Sequence, residues 1–253
     1  MDIAASIQQV TEEIILKLAL SIRNEYKIKN LCLAGGVALN CVANGKILQR
    51  EIFDKVWIQP AAGDAGGSLG AALALWHNEL NNERIINNQD SMKGSYLGPE
   101  FDQIEIERNL KEMGANFLVL PEKELIENVS RDLVDGSAIG WFQGRMEFGP
   151  RALGARSILA DPRSSNMQKN LNLKVKFRES FRPFAPSILE NETENWFDIN
   201  VKSPYMLVVA KIKKNKLLSN NAKIYAELKN FVFDIRYTVT GFSVDVDQRG
   251  EKV

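Results

Sequence analysis

Between Gly144 and Ser187, nine cations meet only three carboxylates, in a chain whose 32 basic and 32 acidic residues balance. The cations are Arg145, Arg151, Arg156, Arg163, Arg178, Arg182, Lys169, Lys174 and Lys176; the acids are Glu147, Asp161 and Glu179. Arginine presents a planar fork of donors that grips a phosphate or carboxylate through two parallel bonds. These arginines are interleaved with glycine, proline and aromatic residues in GRMEFGPRALGARSILADPR and KVKFRESFRPFAPS, not spaced along a polar helix face. Pro150, Pro183 and Pro186 stiffen the loops that carry them. The stretch suits a ligand with several negative charges. The plainer alternative is a solvated basic face, with RNA as its partner.

Two glycine stretches add a second chemistry. LAGGVALN (Leu33–Asn40) and GDAGGSLGAA (Gly63–Ala72) each place glycines between an expected strand and an expected helix. Gly35, Gly36, Gly66 and Gly67 lack Cβ, so backbone there can approach a ligand closely or take a positive φ. The helix start that follows offers unpaired N–H groups and a positive dipole end, which suits a phosphate. Asp64, at the mouth of the second stretch, could hold a divalent cation. The alternative is that these glycines only permit tight helix–sheet packing.

Elements must position these residues. From Asp2 to about Tyr26, Ile3, Ile7, Val10, Ile14, Leu18 and Ile22 step by three and four, which predicts a helix with one apolar stripe. Strand 30–34, helix 37–48, strand 55–59, a tight loop at 64–67 and helix 68–78 follow. That alternation predicts α/β with a mostly parallel sheet. Residues 81–95 are polar and read as a surface excursion, with a domain boundary near 95–100. Beyond it the sequence predicts helices at 102–113 and 123–134 and strands at 117–120, 138–142, 157–160 and 205–212, an α+β pattern. The expected domains are therefore 1–95 and 96–253.

Composition narrows the function classes. At 45% hydrophobic and 25% charged residues, the chain can build a core and is not of a disordered class. Zero net charge argues against a general nucleic-acid binder. Two cysteines cannot make a disulfide framework, and no signal peptide or apolar run of spanning length is present, so a cytoplasmic setting without membrane is expected. A single histidine, His77, excludes any site built within this chain from two histidines; it reads as an ordinary helix-end residue.

The segments LCLAGGVALNCVANGKIL, QPAAGDAGGSLGAALALW, YLGP, GWFQGRMEFGPRALGARSILADPR, FRESFRPFAPS and SPYMLVV together resemble the NodU/CmcH carbamoyltransferase family over roughly residues 3–212. The resemblance implies a partial ASKHA (actin/hexokinase-like) α/β segment followed by a YrdC-like α+β domain. It implies that carbamoyl phosphate and ATP give carbamoyl-adenylate, and that the carbamoyl group passes to a hydroxyl of a small-molecule or glycan acceptor. It further implies a metal, usually iron. Asp64 matches the family's metal-ligand aspartate, and Gly35, Gly36 and Asn40 its nucleotide loop. Arg145, Arg151, Arg178 and Arg182 fall in motifs lining the carbamoyl-phosphate and ATP pocket, with Arg156 and Lys174 beside them.

Two departures accompany the likeness. The family's HxxxH metal pair has no counterpart here, and the first strand–helix units have no earlier half of a sheet to complete. The segment after SPYMLVVAKI lacks the family's histidine and arginine; Tyr237–Val244 stands there instead. The expectation is a piece of a longer enzyme, with an inactive homologue that still binds phosphorylated ligands as the alternative. An exposed sheet edge and apolar helix face predict self-association, or pairing with a missing N-terminal half.

Overall fold

The computed structural model describes residues 2–86, 89–164, 166–199 and 201–216, and the backbone of two short strands at 233–234 and 236–237. The first half opens with α1 (Asp2–Tyr26), β1 (Asn30–Leu33), α2 (Cys41–Gln49), β2 (Lys55–Ile58) and α3 (Asp64–Ala74). β1 and β2 are parallel, with Asn30 opposite Lys55 and Leu33 opposite Ile58. α2 starts later than its apolar pattern suggests. A 3₁₀ turn fills Gly36–Leu39, and the Asn40 side chain caps α2 by accepting from the Ala43 N–H at 3.2 Å.

The GDAGG segment differs from expectation. It is the first turn of α3, not a loop before it, with Gly63 as the residue preceding the helix. Gly66 has a packing reason to be glycine: a Cβ there would lie 2.1 Å from the Ala61 carbonyl oxygen. α3 runs on into a π turn at Leu75–Glu79, which contains His77.

α4 (Gln103–Glu112) and α5 (Glu122–Val134) follow, then the antiparallel hairpin β3 (Ile139–Phe142) and β4 (Arg156–Leu159). Asp102 caps α4 by accepting from Glu105 N–H at 2.8 Å. Residues 117–120 form no strand; Leu118 and Val119 are exposed there. The short α6 (Met167–Asn170) continues into a π turn at Leu171–Val175. β5 (Ser187–Ile188), α7 (Thr193–Trp196), β6 (Phe197–Asp198), β7 (Val209–Ile212), β8 (Phe233–Asp234) and β9 (Arg236–Tyr237) complete the order. β6, β7 and β8 form a small antiparallel sheet, and β5 pairs with β9 in parallel. The expected strand at 205–212 is confined to Val209–Ile212. The tail segment 238–244 lies outside the described residues. The fold is thus mixed α/β, with seven α-helices and small sheets among the described residues.

The main core draws on both halves of the chain. Ala38, Ile58 and Ala62 pack with Met92, Leu153, Tyr205, Leu207 and Val208. The excursion at 81–95 therefore turns inward at its end, where Met92 and Ser95 are buried. Asn44 joins the halves by donating to Ala38 O at 2.8 Å and Leu207 O at 2.9 Å. α1 is oriented by a different face from the expected one. Ala19, Ile15 and Leu16 pack on Ile47, Ile52 and Phe53, and buried Glu12 pairs with Lys46. The stripe Ile3, Ile7, Val10, Ile14, Leu18 and Ile22 is exposed, from 43% at Ile22 to 79% at Ile3.

Candidate functional site

The residues from Gln143 to Ala155 connect β3 to β4. Gly149 lets this loop lie on the chain at Pro60–Ala61: its φ is 125°, and a Cβ would stand 3.2 Å from Pro60 O. Glu147 closes the loop from within. Its Oε1 accepts N–H bonds from Leu153 at 2.7 Å, Ala155 at 2.9 Å and Arg156 at 3.2 Å, and its Oε2 accepts from Arg156 Nε at 3.2 Å. Burial works to raise the carboxyl's pKa, but the backbone donors of Leu153 and Arg156 and the Arg156 guanidinium outweigh it, so the pKa falls below the ordinary value. Arg151 sits at the middle of this closed loop. Its Nη2 donates to Leu39 O at 3.1 Å, in the first glycine stretch. Its Nε is buried with no hydrogen-bond partner.

A second organiser faces it. Asn172, fully buried in the π turn after α6, donates to Ser180 O at 3.1 Å and Arg182 O at 2.8 Å. Its Oδ1 accepts from Arg178 Nε at 2.6 Å. Arg178 also stacks over the Phe184 ring, 4.9 Å from its centroid. Burial, then repulsion from Arg182, lowers the Arg178 pKa against the pull of Glu179. Such an environment favours an anion beside the guanidinium.

Between these parts lies a cavity of about 320 Å³. Arg151, Lys176 and Arg178 line it, with Trp141, Gln143 and Ser157. Its one carboxylate, Asp161, is engaged by Arg163, whose N and Nε donate at 2.9 Å and whose ion pair lowers the Asp161 pKa. Three cations thus converge on one cavity, and one of them carries an unpartnered buried donor. Shape and charge suit a phosphate-bearing ligand, and the volume falls at the lower end of small-molecule pockets.

The other expected site residues lie elsewhere. Arg145 donates to Gly98 O at 3.0 Å and pairs with Glu100 at 3.2 Å. Arg182 pairs with Glu179 at 2.7 Å, Arg156 with Glu147, and Lys174 is exposed outside the cavity lining. Gly35 has φ 96° and donates to Ala62 O at 2.8 Å; a Cβ at Gly35, Gly36 or Gly67 would meet nothing within 4 Å. Asn40 exchanges two amide bonds with Gln8, at 3.1 and 3.2 Å. Asp64 is exposed in the first turn of α3. The described residues contain no group of three or more His, Cys, Asp or Glu fit to hold a metal. Asp64 alone does not make a metal site; the remaining ligands would have to come from outside the described residues.

Glu147, Asn172, Lys176 and Trp141 are site residues that the sequence reading did not single out. Lys176 and Glu147 were visible as members of the charged stretch. Asn172 carried no signal in the sequence.

A second cavity, of about 550 Å³, lies against β2, lined by Trp57, Asp90, Ser203 and Tyr205 among others. The Tyr205 hydroxyl donates to Asp90 and accepts from Gly94 N–H at 3.2 Å. Burial, then that bond, pushes the Tyr205 phenol above its ordinary pKa.

Among the described residues, no helix is long and apolar enough to cross a membrane. Comparison with known proteins gives the family. A family model described as Carbamoyltransferase N-terminus matches residues 1–73, and one described as Carbamoyltransferase C-terminus matches residues 130–232. An uncharacterized protein of Synechocystis, sll1178, is 55% identical over 216 residues, covering 85% of this chain and 35% of the relative. Nodulation protein NolNO of Sinorhizobium fredii is 39% identical over 219 residues, covering 85% of this chain and 32% of its own length. Nodulation protein U of Rhizobium fredii is 35% identical over 182 residues, covering 71% of this chain and 28% of its own length. The chain therefore spans about a third of the length of these relatives. With both family models matched in chain order and nodulation proteins similar over 71% and 85% of this chain, the chain belongs to the NodU/CmcH carbamoyltransferase family.

Proposed function

We propose that this chain carries the donor-binding part of a carbamoyltransferase, and that the Arg151–Lys176–Arg178 cavity receives carbamoyl phosphate and ATP. The observation that carries this reading is that Arg151, Lys176 and Arg178 line one cavity whose carboxylate, Asp161, is engaged by Arg163. In a family of carbamoyltransferases, an oxyanion-bearing carbamoyl donor is the ligand such a cavity serves. The three cations offset the repulsion between carbamoyl phosphate and the ATP phosphates and stabilise charge developing on phosphoryl oxygens. Carbamate, freed from carbamoyl phosphate with release of inorganic phosphate, attacks the α-phosphorus of ATP and expels pyrophosphate. The resulting carbamoyl-adenylate gives its carbamoyl group to a hydroxyl oxygen of a small-molecule or glycan acceptor, the hydroxyl losing its proton and AMP leaving. Of the expected arginines, Arg151 and Arg178 touch the donor in this reading; Arg145, Arg156 and Arg182 hold loops through their carboxylate partners.

The reading assigns the first half to an ASKHA-like unit and the second to a YrdC-like one. The open backbone at Gly35 and Gly36 is the candidate nucleotide loop of the first. Asp64 offers one carboxylate to a metal whose other ligands lie outside the described residues. Two thiols, Cys32 and Cys41, suit a reducing cytoplasm.

Isothermal titration of the chain with carbamoyl phosphate, then ATP, tests the reading. Wild-type protein should bind both, and Arg151→Ala or Arg178→Ala should each weaken binding about tenfold, the loss of one charge-assisted contact. Absence of binding at millimolar ligand, or equal affinity in both variants and wild type, refutes it.

A further inference from the structure

We propose that Glu147 is a positioning residue: it fixes the curvature of the β3–β4 loop and thereby aims the Arg151 guanidinium into the cavity. The inference rests on the reading that this cavity holds an oxyanion. Glu147 and its donors Leu153, Ala155 and Arg156 straddle Arg151 in sequence, and the side chain bridges from one limb of the loop to the other. Three N–H groups of the returning limb converge on a single carboxylate oxygen, at 2.7, 2.9 and 3.2 Å. Beyond the Gln143 N–H to Ala155 O bond at 2.9 Å that extends the hairpin ladder, this side chain holds the two limbs of the loop together.

The Glu147 side chain has no exposure, so the carboxylate cannot exchange these donors for water without opening the loop. A bare carboxylate beside an anion site would also cancel the charge of Arg151. Here it does not. Arg156 Nε satisfies the second oxygen at 3.2 Å, and Arg156 Nη2 donates to Glu147 O at 3.3 Å. The pair is internally neutral, and Arg151 remains the uncompensated cation of the loop. A glutamine or alanine would keep the loop's length but not this arrangement of donors.

The alternative is that Glu147 only holds the fold together. A double-mutant cycle separates the two, because a residue acting through Arg151 has nothing left to do once Arg151 is gone. The probe is inorganic pyrophosphate, titrated calorimetrically into the full chain. Glu147→Ala and Arg151→Ala should each weaken binding about tenfold, and the double variant no more than Arg151→Ala alone. Wild-type affinity in Glu147→Ala, or multiplied losses in the double variant, overturns the proposal. Should Glu147→Ala fail to fold, Glu147→Gln carries the cycle. It should weaken binding about threefold with Arg151 present and not at all with Arg151→Ala. Equal effects in both backgrounds, including none, overturn it. Wild-type protein that does not bind pyrophosphate overturns the cavity reading itself. Binding lost in Arg151→Ala but untouched by either Glu147 variant overturns only the role of Glu147.

Discussion

At the residue scale, the basic stretch is less uniform than its charge count implies. Its three acids are each spent on a neighbouring arginine: Glu147 on Arg156, Asp161 on Arg163 and Glu179 on Arg182. Those pairs are loop hardware. What remains for a ligand is the set that finds no carboxylate, and Arg151 is its central member. The depressed pKa of Glu147 has a consequence for stability. A carboxyl bound more tightly as its anion in the folded chain contributes stability above its ordinary pKa of 4.5. That stability is lost as pH falls through the lower folded value. Urea unfolding at pH 7 and at pH 3 should show an acid loss in wild type that is smaller in Glu147→Gln. An equal loss in both proteins would place the acid sensitivity elsewhere.

At the element scale, the two glycine stretches have separate reasons for their glycines. Gly66 lies against the Ala61 carbonyl, and Gly67, one residue on in the same helix, meets nothing. Gly66→Ala should destabilise the chain by about 1–3 kcal/mol through overpacking against backbone. Gly67→Ala should be neutral or stabilise by up to about 1 kcal/mol through helix propensity. Thermal melts of the two variants check the contrast, and similar melting temperatures would remove the packing account of Gly66. This also shows what the sequence made legible. Apolar periodicity located α1, and the glycine punctuation located β1 and β2, because those signals are local. Asn40 as a cap, Gly66 as a contact and Asn172 as a loop clasp depend on the loop conformations that bring Ala43, Ala61 and Arg182 against them. The strand expected at 117–120 failed for the same reason in reverse: an apolar run needs a partner strand, and Leu118 and Val119 find none among the described residues.

At the scale of the whole molecule, one core crosses the boundary expected near residue 95, because Met92, Leu153 and Leu207 pack with Ala38 and Ile58. The basic character of the cavity was legible as a charge concentration. Its actual lining was not, since pairing of arginines with carboxylates is decided by loop conformation. The outward stripe of α1 is the other whole-molecule feature. Six aliphatic side chains on one exposed face favour association in water. Sedimentation velocity should show concentration-dependent self-association that Ile7→Lys with Leu18→Lys reduces. A clean monomer at high concentration would show that the face needs no partner.

The hydrogen bond from Arg151 to Leu39 O has one more implication. A single guanidinium answers both to the cavity in the second half and to the backbone just after Gly35 and Gly36 in the first. The two places therefore share one side chain through which ligands at both would be coupled. Under the proposed function, a nucleotide that reshaped the glycine turn would alter the grip on the donor, and the donor would change nucleotide affinity by the same factor.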